Sequence, residues 1–371
     1  MNTRNRLAWL FLGFMVACGS SSALASDAKP GGNLFIYNWS DYIAEDTIAQ
    51  FEAETGIKVT YDVFDSNEVL EAKLLAGSTG YDLVVRSTEF LGRQIQARVF
   101  QPIDRAKLSN FGNLDPKLLE RIAENDPGNR YAVPYLWGTT GIGYNVGKIA
   151  EIFGEDFEVG SWDLVFNPEY ASKVAQCGLS MLDSAFEMIP VALNYIGEDP
   201  NSFDPKVIEK AEAVLMAARP HVRYFHSSQY ISDLANGDTC VAVGWSGDVF
   251  QAMDRAEEAE RGVEVDYVIP EEGSAIWFDM LAIPADARNV ENAHLFIDFL
   301  LRPEVIAEIT NYVAYANPNP PSKEFVDEEI RENPGIFPPE EVMERLFGLK
   351  PKPRAVDRTY TRIWTRVRTG R

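Results

Sequence analysis

Three times in this sequence an aromatic ring lies within three residues of a carboxylate, each time at the end of a strand-like run. The sets are Trp39-Ser40-Asp41-Tyr42, Trp245-Ser246-Gly247-Asp248 and Trp277-Phe278-Asp279. An indole face and a carboxylate attract the same kind of ligand, an organic cation. The ring supplies a negative π face and an apolar wall. The carboxylate supplies a charge-assisted hydrogen bond to an ammonium. The plainer alternatives are core packing for each tryptophan and helix N-capping for Asp41 and Asp248. One set alone favours those alternatives. Three sets far apart in the chain point to one composite pocket that the fold assembles.

Other chemistries find less support. His221, His226 and His294 do not group with cysteine or carboxylate at ligand spacing, so no metal site is expected. There is no G-x-S-x-G elbow, H-E-x-x-H motif or phosphate-binding loop. Gly141-Ile142-Gly143 lacks a third glycine, because Val146 stands there, and reads as a crossover turn. Glu187 and Asp279 among tryptophans leave open a secreted glycosidase, since paired carboxylates also cleave sugars.

The elements that must position the sets are α/β. Residues 33–37 form an apolar strand, 43–55 an amphipathic helix, 57–63 a strand, 67–76 a helix, 81–85 a strand and 89–97 a helix. This alternation predicts a mostly parallel sheet. Trp39 and Asp41, Ser87, and Trp245 and Asp248 each fall just past a strand, where open α/β sheets bind ligands. Residues 136–145 read as a glycine-rich crossing into a second α/β unit. Two strands, 265–269 and 278–283, are expected to return to the first. The run Asn317-Pro318-Asn319-Pro320-Pro321 reads as a surface connection or second hinge.

The 371 residues, 46% of them hydrophobic, suffice for two lobes. A net charge of -22 argues against nucleic acid or an anionic membrane as partner and suits a cationic ligand. Arg4 and Arg6, a short apolar run and Ala23-Leu24-Ala25 form an export signal, residues 1–25. A second reading is open there, because Met15-Val16-Ala17-Cys18 resembles a lipobox that would anchor Cys18 to lipid. The remaining cysteines, Cys177 and Cys240, are an even pair in an oxidising compartment. A disulfide is expected, with two buried free thiols as the alternative. The tail 350–371 carries eight basic residues and one acid, and reads as a terminal helix with Arg362 and Arg366 outward and Ile363 and Val367 inward.

Several separated motifs then carry a resemblance: Tyr37-Asn-Trp-Ser-Asp-Tyr-Ile43, Gly80-Tyr-Asp-Leu-Val-Val85, Gly138-Thr-Thr-Gly-Ile-Gly-Tyr-Asn145, Gly244-Trp-Ser-Gly-Asp248 and Tyr315-Ala-Asn317. Together they resemble the periplasmic polyamine-binding proteins of ABC importers, most closely the putrescine-binding side of that family. The likeness runs through nearly the whole mature chain.

It implies a type II periplasmic-binding-protein flytrap, with a mixed sheet in each lobe and the ligand in the cleft between them. Lobe 1 would comprise residues 26–138 and about 265–305, and lobe 2 residues 139–264 and about 306–371. Trp39, Tyr42, Trp245, Trp277 and Tyr315 would box the ligand's methylene chain. Asp41, Glu187, Asp248 and Asp279 would hold its ammonium groups, with Ser40 and Ser87 as neutral acceptors. The resemblance also implies no catalysis, no cofactor, a monomer, and permease subunits of the inner membrane as partners. Putrescine-binding relatives carry phenylalanine where Trp277 stands, and a small residue where Glu89 stands. Asp41, Ser184, Asp248 and Leu349 match the putrescine pattern. Glu89, Ser184 and Leu349 are therefore candidate selectivity positions. Another cation, such as agmatine or cadaverine, is an alternative ligand.

Overall fold

Ten strands are hydrogen-bonded together, eight of them along one path and two beside it, and two strands of that path do the work of joining its halves. The computed structural model describes residues 31–371, so the export signal and Cys18 lie outside the described residues. In the first half β1 (Gly32–Trp39) pairs in parallel with β2 (Ile57–Phe64) and with β3 (Leu83–Ser87). The linking helices, Thr47–Thr55 and Asn67–Ala76, complete the expected β-α-β alternation. Gly56 ends the first of them in the left-handed region at φ 73°, a conformation that glycine adopts without steric cost. The half is closed by β9 (Ala275–Ala282), antiparallel to β3 and to the start of β4 (Ala132–Asn145).

The second half is built on the other end of β4. There it pairs antiparallel with β7 (Val241–Trp245) and β8 (Val265–Val268), while β5 (Leu179–Met181) runs parallel to β7 and to β6 (Tyr224–Phe225). Each half is thus a mixed sheet, and the architecture is the two-domain flytrap. The hand-over is abrupt: Thr139 faces Ile276 of β9, and the next residue, Thr140, faces Trp245 of β7.

Three expectations are corrected. Gly141 and Gly143 sit inside β4, not in a turn: Gly141 faces Gly244 of β7, and Gly143 is paired on both sides, with Ala242 and Tyr267. A Cβ at Gly141 would lie 2.5 Å from the Tyr267 hydroxyl oxygen, so glycine there permits close approach of β8. Residues 265–268 belong to the second sheet through β8, and only β9 returns to the first. Alternating polarity identifies a strand but not its neighbour. The Asn-Pro run is buried at Asn317, Pro318 and Asn319 and surfaces only at Pro320 and Pro321: Ala316 bridges to Trp137, Asn319 donates to the Leu301 carbonyl at 2.8 Å, and Pro318 accepts from Asp115. These contacts lie before β4, after β9 or on the part of β4 that pairs with β9, so the last crossing comes later than residue 306. The asparagine amides are satisfied there, Asn319 on the Leu301 carbonyl and Asn317 on the Thr310 hydroxyl.

That crossing is made by β10 (Phe347–Gly348), which pairs with the start of β9, and by Lys350, which donates to Asn201. The terminal helix Arg354–Thr369 then buries Val356, Tyr360, Ile363, Trp364 and Val367, and Arg366 pairs with Glu212. Cys177 and Cys240 form the expected disulfide, with Cα atoms 5.5 Å apart.

Candidate functional site

The two lobes meet across a cleft that lies past the carboxyl ends of β1, β3 and β7. Its cavity holds about 520 Å³ of space between atoms, partly open to solvent. Five rings line it in sequence. Trp39 meets Trp245 at 5.6 Å between centroids, Trp245 meets Trp277 at 6.4 Å, Trp277 meets Tyr315 at 5.4 Å, and Tyr315 meets Tyr42 at 5.1 Å. All four contacts are edge-on, the arrangement the ring quadrupole favours. Trp39 comes from β1 and Trp245 from β7, so the first contact spans the cleft.

Carboxylates punctuate this ribbon. Asp248 stands in the first turn of the helix Ser246–Glu258 and accepts from the hydroxyls of Tyr230 and Tyr315, both at 2.7 Å. Asp279 on β9 accepts from Ser87 at 2.5 Å. Glu187, in the first turn of the helix Ala185–Tyr195, accepts from Thr140 and from the Trp245 indole at 2.9 Å. Glu89 opens the helix Thr88–Gln96 and accepts from Asn67 at 3.3 Å, while its other oxygen is buried without a partner. Asn67 also donates to Ser87 at 3.2 Å, so Asp279, Ser87, Asn67 and Glu89 form one polar run.

Burial pushes every one of these acids up. Asp248 is raised to about 6, its two tyrosine hydroxyls opposing the rise. Asp279 is raised to about 6 by desolvation, with Ser87 and Tyr42 opposing. Glu187 and Glu89 rise to about 7 for the same first reason. The neighbouring Asp279 adds to the rise at Glu89, whereas Arg86 and Lys352 counter it. An empty cavity therefore holds carboxylates that are costly to ionise and that a cation would stabilise.

Of the expected residues, Trp39, Ser40, Tyr42, Ser87, Glu187, Trp245, Asp248, Trp277, Asp279, Tyr315, Glu89 and Leu349 line this cavity. Asp41 and Ser184 do not. Asp41 takes a left-handed turn at φ 53° that carries its carboxylate to Arg255 of the opposite lobe, at 3.0 Å. Ser184 precedes the helix bearing Glu187, and its carbonyl accepts from Met188. Four lining residues were not anticipated: Asp65, Asn67, Ser227 and Ser228. Asp65 follows Phe64 at the end of β2, a ring and a carboxylate at a strand end like the other sets, and that pattern could have found it. Asn67 opens a helix, and Ser227 and Ser228 lie in the loop before another. Among the described residues no group of three or more histidine, cysteine or acidic side chains is placed to hold a metal.

With this geometry in hand, residues 46–338 match the family model of the bacterial extracellular solute-binding proteins. The chain belongs to that family. The putrescine-binding periplasmic protein PotF of Escherichia coli is 54% identical over 366 residues, covering 98% of each chain. The putrescine-binding periplasmic protein SpuD of Pseudomonas aeruginosa is 51% identical over 359 residues, 96% of this chain and 98% of that one. A solved structure described as a putative spermidine/putrescine ABC transporter of Listeria monocytogenes superposes with TM-score 0.82 at 31% identity, covering 91% of this chain and 99% of that one. As a solute-binding protein the molecule is an extracytoplasmic, non-catalytic transport component, which removes the glycosidase alternative.

Proposed function

We propose that this solute-binding protein captures polyamines between its lobes and presents them to the permease subunits of an ABC importer. The observation that carries the reading is the composition of the cavity wall: five rings, four buried carboxylates and no lysine, arginine or histidine. A polyamine is an alkyl chain with cationic ends. Rings replace water along its methylenes, and carboxylates replace water around its ammonium groups. Trp39, Tyr42, Trp245, Trp277 and Tyr315 take the first role, and Glu187, Asp248 and Asp279 the second. Ser40 and Ser87 add acceptors, and Leu349 walls the end near Glu89. Because both lobes contribute, a bound ligand favours closure. The relatives named above bind putrescine by description, which supports the class of ligand.

The reading further holds that export removes residues 1–25 and leaves a soluble monomer, with Cys18 lost along with the signal. Mass spectrometry of the exported protein tests this, since a lipid-bearing Cys18 as first residue would reverse it. For the ligand, calorimetric titration of the ligand-free protein with putrescine, cadaverine, agmatine, spermidine and spermine is decisive. Saturable heat with at least one amine is expected, and no heat with any of them would sink the reading.

A further inference from the structure

A guanidinium lies behind the cavity wall. Arg86 on β3 is 0% exposed and does not line the cavity, whereas its neighbour Ser87 does. Successive side chains of a strand point to opposite faces, so the two residues serve opposite sides of the wall. The Arg86 guanidinium stacks on Phe90, 4.1 Å from the ring centroid. Its Nε donates to the Gln94 side chain at 3.0 Å. One terminal nitrogen donates twice to Asn67, to the backbone carbonyl at 2.9 Å and to the side-chain oxygen at 2.6 Å. All three hydrogen bonds go to amide oxygens and none to a carboxylate.

These contacts fix the direction of each hydrogen bond between Arg86 and the cavity. A guanidinium carries donors only, so it can face only the oxygen end of the Asn67 amide. The nitrogen end is turned the other way and donates to Ser87 at 3.2 Å and to Glu89 at 3.3 Å. Ser87 Oγ therefore accepts from Asn67, and its single proton goes to Asp279. Asp279 stands opposite Ser87 in the β3–β9 ladder and accepts that proton's hydrogen bond at 2.5 Å. A hydrogen bond donated to a carboxylate favours its charged form. Without Arg86 the Asn67 amide could flip, Ser87 could turn its proton to the amide oxygen, and Asp279 would lose its donor.

We propose that Arg86 is a positioning residue for ligand capture: it locks the Asn67 amide, and through Asn67 and Ser87 it keeps the Asp279 carboxylate oriented and charged for a ligand ammonium. This inference rests on the polyamine reading above.

Charge alone gives the opposite sign for the decisive variant. Removing a positive charge behind the wall strengthens the hold on a cation, whereas releasing the amide weakens it. Calorimetric titration of putrescine into the wild-type protein, Arg86→Met, Ser87→Ala and the double variant reads both the sign and the route. Met keeps an apolar contact with Phe90 and has no donor. Arg86→Met should weaken binding about tenfold. In Ser87→Ala the relay is already cut, so adding Arg86→Met should change affinity by less than about threefold. If Arg86→Met fails to melt cooperatively, Asn67→Ala cuts the relay one link nearer the cavity and takes its place in both backgrounds, with the same outcomes expected. A gain in affinity, or a loss of less than about threefold, in the otherwise wild-type protein overturns the role of Arg86. So does a further loss of more than about threefold on top of Ser87→Ala. A wild-type protein that gives no heat with putrescine or spermidine fails at the earlier step instead, and overturns the ligand class.

Discussion

Asp41 and Arg255 meet at 3.0 Å across the cleft, a carboxylate from the loop after β1 against a guanidinium on a helix of the second lobe. Both side chains are about two-fifths exposed, 40% and 41%. Such a pair contributes about 1 kcal/mol or less. It ties one lobe to the other, outside the cavity. Asp41→Asn keeps a residue that tolerates the left-handed backbone and removes the charge. It should weaken ligand binding by less than about fivefold. Asp248→Asn, which removes a buried charge, should cost about a hundredfold. Equal losses by calorimetry would return Asp41 to the ligand set.

The raised acids give binding a pH signature. Asp248 and Asp279 are held near 6, and Glu187 and Glu89 near 7, all by burial. In each, the folded empty protein binds a proton more tightly than the unfolded chain. Their contribution to stability is therefore full below the ordinary carboxylate range and is lost as pH rises through about 6 to 7. A cationic ligand requires the opposite state. Affinity should rise about tenfold or more between pH ~5.5 and ~7.5, with net proton release on binding near pH ~6.5. Titrations in two buffers of different ionisation heat measure that release. Proton uptake would contradict the assignment.

Gly138 tests the wall itself. It stands opposite Trp277 in the β4–β9 ladder, and an added Cβ would lie 2.9 Å from both the indole edge and the Ser246 hydroxyl. The ring cannot yield without tilting into the cavity. Gly138→Ala should cost about 1–3 kcal/mol of stability and lower affinity at least about tenfold. Gly147→Ala, with only an ordinary contact to Asn145, serves as the control. Identical melting curves and affinities for the two variants would remove Gly138 from the site's design.

The disulfide spans 63 residues, joining the turn before β5 to the residue before β7. Replacing both cysteines by alanine should lower unfolding free energy by about 2–5 kcal/mol. Ligand affinity should stay close to wild type, because the β4–β7 ladder, in which Trp245 faces Thr140, places Trp245 independently of the crosslink. Denaturant titration with and without ligand separates the two effects, and a lost affinity at intact fold would assign the bond a role in the site.

Much of the site could be read because its chemistry announces itself locally. A ring next to a carboxylate at a strand end is visible in a window of four residues; each of the three sets brought at least one ring to the cavity, and two of them brought a carboxylate, Asp248 and Asp279. Asp41 misled because its direction depends on a left-handed φ that no spacing reveals. Asn67, Ser227 and Ser228 were missed because a hydrogen-bonding loop residue has no periodicity. The first lobe's β-α-β order was legible from alternating patterns. The destination of β8 was not, since pairing is a tertiary choice between two available edges. The asparagine-proline run, buried at Asn317, Pro318 and Asn319, shows the same limit: turn-forming composition describes the backbone, not its depth.

The passage of β4 from one sheet to the other at Thr139 and Thr140 leaves no unpaired residue at which that strand could swivel freely. Relative rotation of the lobes must be taken up along it as twist, spread over ladder bonds on either side. Such a connection behaves as a torsion spring with a rest angle, not as a loose joint. Gly138, against Trp277 and Ser246, lies beside the spring's midpoint. Any displacement of Trp277, whose ring lines the cavity, would load the spring at its centre and so bear on the angle between the lobes.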